Sequence, residues 1–105
     1  MPFLDIFLDF LAGMLLCNCI PHLAAGLRGE AFPTPFAKPP GKGLSKALTN
    51  FLWGAGNLLA GVILIHRTPI VLGLNSYFIA LAAGFVLLGI WTSRHFATVR
   101  QATKH

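Results

Sequence analysis

The residues with the widest chemical repertoire stand together in the run Cys17-Asn18-Cys19-Ile20-Pro21-His22. Thiolates and imidazole can ligate a metal or serve as nucleophile and base, so their spacing decides what this run can do. Zinc takes three or four ligands at defined spacing. On a helix Cys17 and Cys19 point about 200° apart and neither bridge nor chelate together, which leaves Cys19 and His22 as a pair on one face. The pattern predicts no metal site and no cofactor. It supplies no catalytic set either, although an enzyme acting on a lipid or quinone through His22 is the one catalytic reading it allows. The structural reading of the run is that Pro21 removes the helical bond to the Cys17 carbonyl and kinks the helix. Asn18 and His22 then satisfy the carbonyls that the kink releases and anchor the segment that follows.

A second polar line lies further along. Asn50, Gly54, Asn57 and Gly61 recur at spacings of four, three and four, which places them on one helical face. Together with Asn18 and His22, Asn50 and Asn57 form a polar intramembrane cluster. Asparagines in membrane helices bond across to neighbouring helices or line a polar path, and both readings stay open at this point. Asp5 and Asp9 share a face at the start of the chain, where carboxylates suit the positive end of a helix dipole in the outer headgroup layer.

The segment from Arg28 to Ser45 is rich in proline and glycine and cannot be helical. Phe32-Pro33-Thr34-Pro35-Phe36 predicts an extended course, with Phe32 and Phe36 tucked under the helix ends. A structureless loop this long implies a task. Gly41, Gly43 and Ser45, with Lys38, Lys42 and Lys46 nearby, predict contacts to lipid phosphate through backbone N–H groups and lysine side chains. The glycine spacing and ending are not those of a nucleotide-binding P-loop.

The elements that position these residues are legible from hydropathy. Three apolar stretches, Phe10 to Leu27, Ala47 to Ile65 and Ile70 to Thr92, occupy most of the 105 residues. At helical rise each reaches roughly 27 to 35 Å, the thickness of a hydrocarbon core. With 55% apolar and 10% charged residues, the chain falls well below the charged fraction of soluble domains, about a quarter. The prediction is an all-α membrane protein with a single domain of three transmembrane helices, at about 4–27, 46–66 and 70–94. A cytoplasmic loop spans 28–45 and a basic tail 95–105. His66-Arg67-Thr68-Pro69 predicts a tight outer turn, making helices two and three an antiparallel hairpin. Gly54 and Gly61 on one helix, with Gly73, Ala80 and Gly84 on the other, form the expected packing seam.

No Lys or Arg precedes Arg28, so the first segment reads as a retained helix rather than a secretory signal. Arg28, Lys38, Lys42, Lys46, Arg94, Arg100 and Lys104 fall on one side of three spans and Arg67 alone on the other. That asymmetry places the loop and the C-terminus in the cytoplasm and the N-terminus outside. The net charge of +5 suits anionic headgroups, and no folded basic patch implies nucleic acid.

The order Asn18, Pro21-His22, Gly26, Gly29, Phe32-Pro33-Thr34-Pro35-Phe36-Ala37, Gly41, Gly43, Ser45, Asn50 and Trp53-Gly54 resembles an uncharacterised family of small bacterial integral-membrane proteins. The resemblance covers residues 18 to 61 and rests on the Phe-Pro-Thr-Pro-Phe loop. It implies a bacterial inner membrane and no assigned activity. Three short helices leave much of their perimeter for lipid or other subunits, so a homo-oligomer or a larger membrane complex is expected. The function that follows is a helix-packing accessory or interaction subunit. The alternative is a homo-oligomeric transporter or channel for ions or small solutes, lined by the Asn and His cluster.

Overall fold

A computed structural model of the chain describes residues 2–67 and 70–102. The element order is α1 (Pro2–Leu27), β1 (Phe32–Pro33), β2 (Leu44–Ser45), α2 (Ala47–His66) and α3 (Ser76–Ala102). All three helices are long and apolar enough to cross a membrane. The molecule is elongated, 48 × 24 × 20 Å.

α1 is the centre of the bundle. It packs along both α2 and α3, which make little or no direct contact with one another. Glycines allow the close approach. A Cβ on Gly54 would stand 2.7 Å from the Leu23 backbone nitrogen, and one on Gly26 would stand 2.6 Å from that of Phe51. On the other side, Gly84 lies against the Phe10 carbonyl and Gly13 against the Leu81 carbonyl, with no room for a side chain at either. The facing pairs run in opposite chain directions for α1 and α2 and in the same direction for α1 and α3. α2 and α3 are therefore antiparallel, but the expected hairpin packing between them is replaced by two seams onto α1. The physical reason is that α1 carries small residues on two faces, Gly26 toward α2 and Gly13 toward α3, so it can accept both neighbours at backbone distance.

The seam residues divide accordingly. Gly54, Gly61, Ala80 and Gly84 are buried, with Gly61 meeting Leu16 of α1. Gly73 is not on a seam. It has φ 144°, and a Cβ added there would have nothing within 4 Å, so it marks a break in the chain instead. α3 begins at Ser76 rather than at 70, because Asn75 caps it: its Oδ1 accepts the Phe78 N–H at 3.0 Å. The apolar residues ahead of it, among them Leu72 and Leu74, are exposed, and they extend the hydropathic run past the true helix start. At the other end α3 continues through the expected tail to Ala102. Of the outer turn, Thr68 and Pro69 lie outside the described residues, while Arg67 donates to Asp5 Oδ1 at 2.7 Å and joins the end of α2 to the start of α1. Asp9, expected among headgroups, is fully buried. It falls on the same stretch of α1 as Phe10 and Gly13, which α3 covers.

The loop is ordered rather than structureless. β1 and β2 pair antiparallel, Phe32 opposite Ser45 and Pro33 opposite Leu44. Within the turn they enclose, Gly41 N–H donates to the Thr34 carbonyl at 2.8 Å, and the N–H groups of Lys42 and Gly43 donate to the Pro39 carbonyl.

Candidate functional site

The polar residues of α1 and α2 converge where the loop folds back on the bundle. Asn18 and His22 are one helical turn apart on α1 and face Asn50, Trp53 and Asn57 of α2. Asn18 Nδ2 donates to Asn57 Oδ1 at 3.1 Å, and Asn57 Nδ2 donates to the Trp53 carbonyl at 2.8 Å. One turn nearer the loop, His22 Nδ1 meets Asn50 Oδ1 at 2.8 Å. Asn50 Nδ2 lies 3.0 Å from the Phe32 carbonyl, 3.1 Å from that of Ser45 and 3.2 Å from that of Lys46. One amide thus ties the first helix to both strands of the loop and to the start of the second helix.

These contacts fix the histidine tautomer. Asn50 must turn its NH2 toward three carbonyls, since they are acceptors only, and its oxygen therefore faces His22. His22 Nδ1 carries the proton in that bond, and in the neutral ring Nε2 presents a lone pair. His22 is 2% exposed and is held edge-on between Phe32 and Trp53, with ring centroids at 5.5 and 6.4 Å. α3 contributes a second histidine by the same logic. His95 Nε2 lies 2.8 Å from the Gly41 carbonyl and must donate to it. His95 stacks on Trp91, one turn back, with centroids 4.9 Å apart and planes within 7°, while Phe96 packs on Phe32 at 4.7 Å. α3 thereby clasps the loop that α1 and α2 hold from the other side.

Between these groups is a cavity of about 120 Å³ whose lining includes Asn18, His22, Thr34, Trp53, Thr92 and His95. Two of these residues, Trp53 and Thr92, each carry a buried polar atom, Nε1 and Oγ1, with no hydrogen-bond partner among the described residues. A larger groove of about 530 Å³ adjoins it, and Pro33 and Phe96 line both.

The structure brings together all four residues of the predicted cluster, Asn18, His22, Asn50 and Asn57. It adds Thr34, Trp53, Thr92 and His95, which lie outside the predicted cluster. Thr34 bonds Ser45 through their hydroxyls at 2.5 Å and accepts the Phe36 N–H. Phe32 is tucked in as expected, whereas Phe36 is 63% exposed although its ring still meets Trp53 edge-on. The anion cradle of Gly41, Gly43 and Ser45 is corrected. The glycine N–H groups and the Ser45 hydroxyl are engaged within the loop, so Lys38, Lys42 and Lys46 are left as side chains outside any such cradle. Cys19 Sγ bonds the Leu16 carbonyl at 2.9 Å, and no cluster of three or more His, Cys, Asp or Glu occurs among the described residues. The arrangement ties the three helices and the loop together through buried hydrogen bonds and aromatic contacts. Compared with protein-family models, curated proteins and solved structures, the chain matches none of them.

Proposed function

We propose that the protein is a multi-pass protein of the bacterial inner membrane, N-terminus outside and C-terminus cytoplasmic, with α1 kinked at Pro21. In this reading it serves as a helix-packing accessory or interaction subunit in a homo-oligomer or a larger membrane complex. The observation that carries it is the direction of the polar groups. Asn50 is 0% and Asn57 4% exposed, and the hydrogen bonds of both run within the chain. A path-forming subunit needs such groups on a surface that faces water or a symmetry axis. The outer faces of α2 and α3 instead present Leu52, Leu59, Ile63, Val86, Leu87 and Ile90, which suit lipid or another apolar helix equally. The loop side carries the basic residues, in keeping with anionic headgroups as the surrounding surface.

Native mass spectrometry of the protein extracted with its lipids tests this reading. The expected result is a fixed-stoichiometry complex with a second membrane protein, unchanged in an Asn57→Leu variant. A homo-oligomer that passes solute in vesicles, with flux abolished by Asn57→Leu, overturns it in favour of transport.

A further inference from the structure

We infer that the open groove between the β1–β2 loop and the C-terminal end of α3 holds one anionic membrane lipid, its phosphate between Lys42 and Arg100 and an acyl chain along the apolar walls. The inference rests on the membrane setting proposed above and names a ligand for one place at the basic end of the bundle. The groove has a volume of about 530 Å³, within the roughly 300–1,000 Å³ of clefts that take small ligands. One wall is a single face of α3, where Ser93, Phe96, Ala97 and Arg100 recur at spacings of three, one and three. The loop makes the other wall, and Leu44 stands in it 70% exposed.

Charge complementarity selects the occupant. Seven of the ten residues that line the groove are apolar, and the other three are Ser93, Lys42 and Arg100. The Ser93 hydroxyl is already bonded to the Ile90 carbonyl at 3.0 Å, so the groove offers its ligand two cations and carbon. No Asp or Glu among the described residues lines it, and Glu30, beside Ala31 in the chain, is paired with Arg28. An amphiphile with an anionic head fits that combination, because burying its chain removes apolar surface from water while its phosphate meets the two charges. An acidic protein segment would meet the same cations, but it would bring its backbone polar groups against walls that are mainly apolar. The order along α3 also matches a lipid. Arg100 stands two turns, about 10 Å, beyond Ser93, which puts charge at the end away from the apolar run and carbon at the end nearer to it.

The test is lipid binding by the full chain, delipidated in detergent, titrated with phosphatidylglycerol or phosphatidylcholine of identical chains and read by native mass spectrometry. The wild type should bind one phosphatidylglycerol about 25-fold more tightly than phosphatidylcholine, the effect of two interfacial charges. Lys42→Gln and Arg100→Gln, both at exposed positions, should each lower that preference about fivefold. Arg94→Gln removes the same charge from the same helix outside the groove lining, and its preference should stay within about twofold of wild type, a charge outside the site having no phosphate to hold. Ala97→Trp, also at an exposed position, fills the groove without changing charge and should abolish the tight binding step. Equal losses in Lys42→Gln and Arg94→Gln, or wild-type binding by Ala97→Trp, overturn the site and leave a diffuse attraction of headgroups to the basic end. A wild type without preference for phosphatidylglycerol overturns it too, and if Lys42→Gln then releases a co-purified protein, an acidic partner segment takes the lipid's place. Because binding is read in detergent, it does not depend on which way the helices face in the membrane. One tightly held phosphatidylglycerol with no second protein in the spectra supports the lipid site while failing the accessory-subunit reading.

Discussion

Asn50 serves four groups at once, the imidazole of His22 and three backbone carbonyls, and its substitution should be the costliest among the polar residues. Asn50→Leu strands the His22 N–H in a dry interior, at about 1–3 kcal/mol for each buried group left unsatisfied. The expected outcome is a lower thermal midpoint in detergent and faster proteolysis within residues 28–45. Asn50→Asp sharpens the point. It keeps an oxygen for His22 but turns a second oxygen on the carbonyls of Phe32, Ser45 and Lys46, so it should destabilise as well despite its similar shape. If Asn50→Asp unfolds at the wild-type temperature, the amide orientation and the His22 tautomer derived from it are wrong. Asn57 bonds one side chain and one carbonyl. Asn57→Leu should be milder, about 0.6 kcal/mol by the average of interhelical hydrogen bonds in membranes.

At the scale of elements, the glycines sort into two kinds that a thermal-shift series separates. A side chain at Gly84 collides with the Phe10 carbonyl, so Gly84→Leu should push α3 off α1 and lower the midpoint sharply. Gly56 sits in the interior of α2 with nothing within 4 Å of an added Cβ. Gly56→Ala should raise the midpoint, by adding about 0.5–1 kcal/mol of stability through helix propensity alone. The three apolar helices, the polar face of α2 and the four-residue cluster were legible in the sequence, because hydropathy and 3.6-residue spacing act locally. The role of α1 as common partner was not. Gly13 and Gly26 lie 13 residues apart on different faces, a pattern that reads as scattered glycine until the neighbours are known. Proline and glycine content marked the loop as non-helical, yet the pairing of Phe32 with Ser45 depends on a turn whose bonds are non-local. His95 and Thr92 were hidden for a related reason. Thr92 stands at the end of the apolar run and His95 just beyond it, and what makes them part of the site is the loop folding over to meet them.

For the whole molecule, the charge asymmetry makes a topological prediction. In a background lacking Cys17 and Cys19, Lys42→Cys should react with a membrane-impermeant maleimide only from the cytoplasmic side, and Arg67→Cys only from the outer side. Labelling of both from one side removes one of the three spans. The Arg67–Asp5 pair, where α2 ends beside the start of α1, is part-exposed, at 35% and 26% for the two side chains, so its loss in Arg67→Gln should cost no more than about 1 kcal/mol. The two seams onto α1 also bear on how the protein is made. Helices enter the membrane in chain order, and α1 enters without a partner. When α2 follows, Asn18 finds Asn57 and His22 finds Asn50, so the first two helices close around the loop before α3 has been synthesised. α3 arrives last as a latch, seating Gly84 against Phe10 and dropping His95 onto the Gly41 carbonyl. For a chain inserted in this order, the two seams predict a halfway state with the Asn18–Asn57 and His22–Asn50 bonds already made. A nascent chain stalled after α2 should persist in the membrane, whereas one missing α1 would leave two helices with little contact between them.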